Sequence, residues 1–274
     1  MNSIKHISLS LLLPLFFLPL KVSAQVGSPR RALALGVNGG VAMNTVGFDP
    51  TIKQSMHIGP TLGLTLRMTS EKYFKSVCAL QIELNYALLG WKEQVLDYNG
   101  EPLPDTYSRN MSYIQIPFLA RMGWGRERRG AMGYVLAGPQ VGYCIGDAAQ
   151  RSSVWTLNEA TGYPDRPNGL SAQYDLGVQR RFDYGITAGA GLELSSKIGH
   201  FMIEGRYYYG LGDFFNNAKK DVFGRSNNNT IMVKFTYLFD LRKEYEDVKW
   251  RAQRRFQPHA PARWHGAENA SRIV

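Results

Sequence analysis

The sequence predicts an all-β protein: an eight-stranded antiparallel up-and-down transmembrane β-barrel with a short C-terminal tail, helical or disordered. Three observations carry this expectation. Several segments alternate between apolar and polar residues over more than the length of an ordinary soluble strand. The connections between them alternate between short and long. The chain also opens on an export signal. Met56–Met68 is the clearest segment: every even position is apolar, while the odd positions are His57, Gly59, Thr61, Gly63, Thr65 and Arg67. Successive side chains of a strand point to opposite faces, so this strand has one apolar face and one small or polar face. Its length suits a bilayer crossed at a tilt of about 45°.

Residues 1–24 read as a secretory signal peptide. Lys5 and His6 precede an apolar stretch from Ile7 to Leu20, and Val22-Ser23-Ala24 precedes a cut at Gln25. Pro14, Pro19 and the short apolar core argue against a membrane-anchoring helix. Residues 25–32 are a periplasmic lead-in, 33–240 the barrel, and 241–274 a basic periplasmic tail. No later stretch approaches a transmembrane helix, which a barrel does not need, because only every second residue faces lipid.

The strands follow in order. Leu33–Asn44 carries Leu33, Leu35, Val37, Val41 and Met43 on one face; Met56–Met68 is second. Val77–Gly90 sets Leu80, Ile82, Leu84, Tyr86 and Leu88 against Gln81, Glu83 and Asn85. Ser112–Trp124 sets Ile114, Ile116, Phe118, Ala120 and Met122 against Tyr113, Gln115 and Arg121. Met132–Ile145 is apolar in both phases, so its facing stays open. Phe182–Leu194 sets Phe182, Tyr184, Ile186, Leu192 and Leu194 against Asp183, Thr187 and Glu193. His200–Tyr209 sets Phe201, Ile203, Tyr207 and Tyr209 against His200, Glu204 and Arg206. Thr230–Asp240 sets Ile231, Val233, Phe235, Tyr237 and Phe239 against Lys234 and Thr236.

Thr69–Ser76, Gly125–Ala131 and Ser195–Gly199 are short connections. Thr45–Ser55, Trp91–Met111, Gly146–Arg181 and Gly210–Asn229 are longer. Short periplasmic turns, long external loops and an even strand number are the pattern of bacterial barrels. A soluble β-sandwich has no reason to gather its long loops at one end. Trp91, Tyr113, Tyr143, Phe182, Tyr184 and Tyr207–Tyr209 suit an outer aromatic girdle, and Tyr73, Phe74, Trp124 and Phe201 an inner one.

The inward phase gathers Arg67, Glu83, Arg121, Glu193, Glu204, Arg206 and Lys234. Side chains fill an eight-stranded barrel, and charges inside it need partners or water. The expected role is an ion-pair network that plugs the lumen. Each of Glu83, Glu193 and Glu204 shares its face with bases, which favours pairing over acid/base catalysis. His57 sits near the outer end of its strand, and Asp49, Asp183 and Asp213 are candidate partners should the barrel be an enzyme.

Gly185, Gly189 and Gly191 lie within an alternating strand rather than before a helix, so they leave room for bulky neighbours instead of cradling a nucleotide. His259 and His265 have no spaced ligand partners. No cofactor or metal site is expected. Cys78 and Cys144 fall near opposite ends of the barrel, too far apart to bridge. The formal charge is +10, of which Lys5 and Lys21 belong to the leader. Anionic headgroups, not nucleic acid, are the expected counterpart of the remainder. In the tail, Leu241, Tyr245, Val248 and Ala252 fall at helical spacing and suit an element docking on the inner leaflet or on a periplasmic partner.

Four stretches resemble the PorT-like family of small outer-membrane barrels from Bacteroidetes: Ser112–Leu119, Tyr134–Tyr143, Asp183–Ile186 with Gly189 and Gly191, and Glu204–Leu211. The resemblance spans about Leu33–Asp240 and implies the barrel fold and an outer-membrane location. It implies no catalytic residue. The leading expectation is a non-enzymatic barrel that binds or scaffolds through its external loops, with outer-membrane lipid as a partner. The alternatives are an accessory component of a type IX-like secretion apparatus that docks through the tail, and a barrel enzyme acting on lipid or peptide.

Overall fold

A computed structural model of the chain describes residues 28–73, 75–96, 99–126, 130–152 and 172–242. The signal peptide, Phe74, most of the segment between the fifth and sixth long strands, and the tail beyond Arg242 lie outside the described residues. The strands are β1 Ser28–Asp49, β2 Gln54–Ser55, β3 His57–Tyr73, β4 Ser76–Leu96, β5 Pro102–Gly125 and β6 Gly130–Arg151. A one-turn helix α1, Ala172–Asp175, precedes β7 Phe182–Ser195, β8 His200–Gly210 and β9 Arg225–Arg242. The sheet runs β2-β4-β3-β1-β9-β8-β7-β6-β5, and β4 pairs with β5 to close it. All pairings are antiparallel. β2 is a short piece laid on β4, with Gln54 opposite Glu93, so eight long strands form the ring. Closure leaves no free sheet edge, as hydrocarbon requires.

The alternation in the sequence becomes the two faces of this ring. Val37, Ile58, Leu62, Leu64, Leu84, Phe118, Val135, Ile186, Leu192 and Phe235 are exposed to the surroundings. Thr61, Thr65, Gln81, Gln115, Thr187 and Thr236 are buried in the lumen. The open facing of Met132–Ile145 is settled: Met132, Tyr134, Leu136, Gln140 and Cys144 point inward, while Val135, Tyr143 and Ile145 point out. Its register against β5 shifts from Tyr113↔Cys144 to Ser112↔Gly146, making Ile145 the extra residue of a bulge. A bulge reverses the phase beyond it and re-aims the following side chains.

Two sequence expectations are corrected. First, much of the predicted external loops is strand. β4 continues to Leu96 and β5 begins at Pro102, with those two residues paired. β1 runs to Asp49 opposite Arg225 of β9. A tilted span needs only about 9–11 residues. The 21–24-residue strands β1, β4, β5 and β6 therefore stand well above the membrane, whereas β7 and β8 have 14 and 11 residues. Second, Trp91, Tyr113 and Tyr208 are not girdle residues: all three are buried inside the barrel. Each lies in the inward phase of its own strand, and side-chain parity decides facing before interfacial preference does. Tyr143, Phe182, Tyr184 and Tyr207 do face outward near the outer rim, and Trp124 near the inner one.

Candidate functional site

The lumen is built in two layers. The inner layer is ionic. Arg206 grips Glu83 with both terminal nitrogens, at 3.0 and 2.5 Å, and reaches Glu204 at 2.5 Å. Lys234 Nζ donates to Glu83 at 2.6 Å. Gln81 and Asn85 donate to the same carboxylate at 2.7 and 3.0 Å. A second centre forms on Glu193, which pairs with Arg67 at 2.8 Å, with Arg121, and with His200 Nδ1 at 2.7 Å. Tyr134 joins the two centres. Its hydroxyl donates to Glu204 at 3.0 Å, and its ring lies 3.8 Å below the Arg121 guanidinium. Its ring fits because residue 191 is glycine, where a Cβ would sit 2.6 Å from the Tyr134 hydroxyl.

All seven predicted inward charges thus lie in one connected cluster, and all are buried. Sequence reasoning missed Tyr134, His200 and Asp240 as members. His200 was already in the inward phase, and its Nε2 lies 3.0 Å from Asp240.

The outer layer is aromatic. Phe48 of β1 packs on Trp91 of β4 with ring centroids 5.2 Å apart, and on Phe223 at 5.3 Å. Trp91 stacks on Phe214 at 5.7 Å, and Phe215 lies 4.7 Å from Phe214 and 5.2 Å from Phe223. Phe214, Phe215 and Phe223 come from the β8–β9 connection, which folds into the barrel mouth instead of standing out from it. Asp213 and Ser226 hold it there: Ser226 N donates to Asp213 Oδ1 at 2.7 Å, and Phe215 N donates to Ser226 Oγ at 2.9 Å. Ile52, Leu89, Val95, Tyr107 and Met111 belong to the same cluster.

A strap from the β6–β7 connection crosses the same mouth. Tyr107 Oη donates to the Gln173 carbonyl at 3.2 Å, and the Tyr107 and Tyr174 rings meet edge to face at 4.8 Å. Arg109 donates to the Gln173 and Leu176 carbonyls and grips Asp147 through two bonds of 2.6 Å. Asp147 also accepts from Val178 N at 3.0 Å. Here the bulge at Ile145 matters, because it turns Asp147 toward Arg109. Between the two layers lies a band of hydroxyl and amide contacts that ends on the Asp183 carboxyl. Thr230 donates to Asn44 at 2.6 Å, Asn44 to Asn228 at 3.2 Å, and Asn228 to Asp183 at 3.2 Å.

A family model described as "Outer membrane protein beta-barrel domain" matches residues 23–216. The chain belongs to that family. It is an outer-membrane protein, with short turns joining the strands at one end and the aromatic mouth at the other, the pattern in which bacterial barrels keep the short turns in the periplasm. No curated protein matches the chain. Among solved structures, the chain is similar to the attachment invasion locus protein Ail of Yersinia pestis, at 14% identity and a TM-score of 0.34. That match covers 77% of this chain and 100% of Ail. It is also similar to OprG from Pseudomonas aeruginosa, at 10% identity and a TM-score of 0.41, covering 78% of this chain and 98% of OprG.

The candidate catalytic groups of this barrel are dispersed. His57 Nε2 lies 2.6 Å from Asn110 Oδ1, whereas Asp183 takes Asn228 and Asp213 takes the Ser226 backbone. A serine, a histidine and an aspartate do meet at the periplasmic end, Ser195 Oγ 3.0 Å from His200 Nδ1 and His200 Nε2 3.0 Å from Asp240. However, Glu193 also faces Nδ1, at 2.7 Å. A carboxylate thus competes with the serine for Nδ1, the nitrogen that would take a serine proton. Among the described residues no cluster of metal-ligating side chains is present, and both cysteines are free.

Proposed function

We propose that this protein is a closed, non-enzymatic outer-membrane barrel that acts as a binding or scaffolding element through its extracellular face. The observation that carries the reading is the double filling of the lumen: a buried ionic cluster below and an aromatic cap drawn from the β8–β9 connection above. A barrel of eight strands has just enough interior for its own side chains, and here these are tied to one another across the ring. A structure that spends its interior on cross-braces offers the solvent its rim. The non-enzymatic reading is supported by the engagement of both His200 nitrogens with carboxylates and by the lack, among the described residues, of an ion pair between His57 and Asp49, Asp183 or Asp213. The test is electrical. Reconstituted into a planar bilayer, the protein should show no large, steady porin-like conductance. A stable open channel would overturn the closed-lumen reading.

The finer reading, a PorT-like component of a secretion apparatus, is supported by the four strand motifs and by the basic tail. Crosslinking from the tail in intact cells tests it. Recovery of secretion components would favour it over a free-standing scaffold.

A further inference from the structure

One wall of the barrel is unlike the rest. On β7 and β8 the strands end low, and the two connections above them are joined: Arg180 Nε donates to Asn216 Oδ1 at 3.3 Å, and Asn216 N donates to Gln179 Oε1 at 2.7 Å. The backbone nitrogens of Leu211 and Gly212 donate to the Tyr184 carbonyl at 2.8 and 3.2 Å, which sets this connection directly on top of β7. Arg180, Arg181, Lys219, Lys220 and Arg225 are exposed there. Among the described residues none of these five has a carboxylate within ion-pair distance. Of the carboxylates nearby, Asp213 is turned to Ser226 N and Asp221 to Ala218 N, and Asp49, opposite Arg225 in the ladder, makes no ion pair with it.

Arg225 is the best placed of the five. Its guanidinium lies 5.5 Å from the Tyr209 ring centroid and donates to the Tyr209 hydroxyl and to Asn227 Oδ1. Its backbone stands at the top of β9 opposite Asp49, and its side chain is held on the outer face against Tyr209, which belongs to the aromatic girdle with Phe182, Tyr184 and Tyr207. Leu211 and Val222, 47% and 45% exposed, add apolar contacts beside the cations.

Below the girdle the lipid face is hollowed. Ala137 pairs with Ala188, Ala190 pairs with Gly205, and all four are outward-facing. A Cβ on Gly205 would meet no atom within 4 Å. Larger outward side chains, Ile186, Leu192, Ile203 and Tyr207, border the hollow. Going down the wall, one meets cations, then aromatic rings, then a trough. On the opposite wall the outward residues of β5 above the girdle, Ser112, Asn110, Ser108 and Thr106, carry no charge, and β4 adds the single cation Lys92.

We propose that this low wall seats a phosphorylated glycolipid of the outer leaflet. Its phosphates would lie against Arg225, Lys219, Lys220 and the Arg180–Arg181 pair, its sugar at the ring level, and one acyl chain in the trough at Gly205. Cations at the headgroup level attract anionic lipid, and aromatic rings suit the interfacial layer beneath. The assignment needs the outer-membrane location but not a closed lumen, so conductance measured on the same preparation separates the two.

The experiment uses the full chain in detergent micelles, titrated by native mass spectrometry with three probes: bis-phosphorylated lipid A, the same lipid without phosphate, and inorganic phosphate. Heat-modifiable gel migration checks folding. The phosphorylated lipid should bind about tenfold more tightly than the phosphate-free form, and Lys219→Glu with Lys220→Glu and Arg225→Glu should remove about that factor. Should the triple reversal fail to fold, Arg225→Gln gives the same answer with a smaller loss. Gly205→Phe should weaken both lipids alike while the barrel folds normally. Lys75→Glu with Lys197→Glu, on the periplasmic rim, should change neither. The proposal falls if the outer variants bind as the parent does, if the periplasmic pair costs as much, or if inorganic phosphate displaces the lipid and so marks a plain ion site.

Discussion

The inner and outer halves of this lumen are filled by opposite chemistries, and the surroundings of the wall account for the difference. Around the inner half lies hydrocarbon. An apolar side chain gains little by leaving lipid for the lumen, because the lipid tails around it are already apolar. What distinguishes one arrangement from another there is polar pairing. Four of the inner ion pairs join strands that are not neighbours: Arg67 of β3 and Arg121 of β5 to Glu193 of β7, and Arg206 of β8 and Lys234 of β9 to Glu83 of β4. The backbone ladder ties adjacent strands, and the charges tie opposite walls. A one-residue slip would turn these charges toward lipid. Around the outer half lies water. There the hydrophobic effect operates in its ordinary form, and burying Trp91, Phe48, Phe214, Phe215 and Phe223 stabilises the mouth directly.

This comparison is open to direct attack, and the largest effect is expected in the ionic layer. Glu83→Ala leaves Arg206 and Lys234 buried around a lost partner and should cost about 3–5 kcal/mol. The readout is the urea midpoint of the barrel folded in lipid vesicles. The double variant Glu83→Gln with Lys234→Met should lose less than Glu83→Ala, since it removes a charge of each sign. If it loses more, register specification by paired charges is the wrong account of the inner layer.

Phe215→Ala in the cap should cost about 3 kcal/mol, the lower end for a buried ring, because the connection that carries it can partly collapse. Its effect should be local: faster amide exchange across residues 211–225, with the amides of β7 and β8 near their parental rates. A global midpoint shift as large as that of Glu83→Ala would merge the two layers into one cooperative unit. Arg109→Lys keeps the charge but gives up the two-pronged grip on Asp147 and should cost about 1.5–3 kcal/mol, seen as faster exchange in residues 172–178. The smallest effect is that of salt. Raising ionic strength from about 0.1 to 1 M shortens the screening length from about 10 to 3 Å, yet should barely move the parental midpoint, because the inner charges are shielded from bulk ions. A large salt shift would mean that water and ions reach the ionic layer.

Period two made most of the fold legible. The phases of β1, β3, β4, β5, β7, β8 and β9 were readable because one face had to meet lipid, and the seven inward charges followed from the same parity. Two kinds of residue misled. Trp91, Tyr113 and Tyr208 belong to the inward phase, but an aromatic residue near a strand end also fits a membrane interface, and that preference obscured the parity. In β6 both phases are apolar, so no pattern in the strand itself separates Tyr134 from Val135. The bulge at Ile145 then reverses the phase and brings Asp147 to Arg109, which alternation alone does not foretell.

The sequence by itself determined that this chain crosses the outer membrane with strands, which face of most of them meets lipid, and which charges share the lumen. These are local consequences of where side chains point along an extended backbone. Only the tertiary structure decided which charge meets which, because Glu83 and Arg206 are brought together by ring closure and not by spacing. It also decided that the β8–β9 connection turns inward. Phe214, Phe215 and Phe223 read as loop residues until the tall walls of β1, β4 and β5 supply an apolar cavity outside the membrane for them to fill.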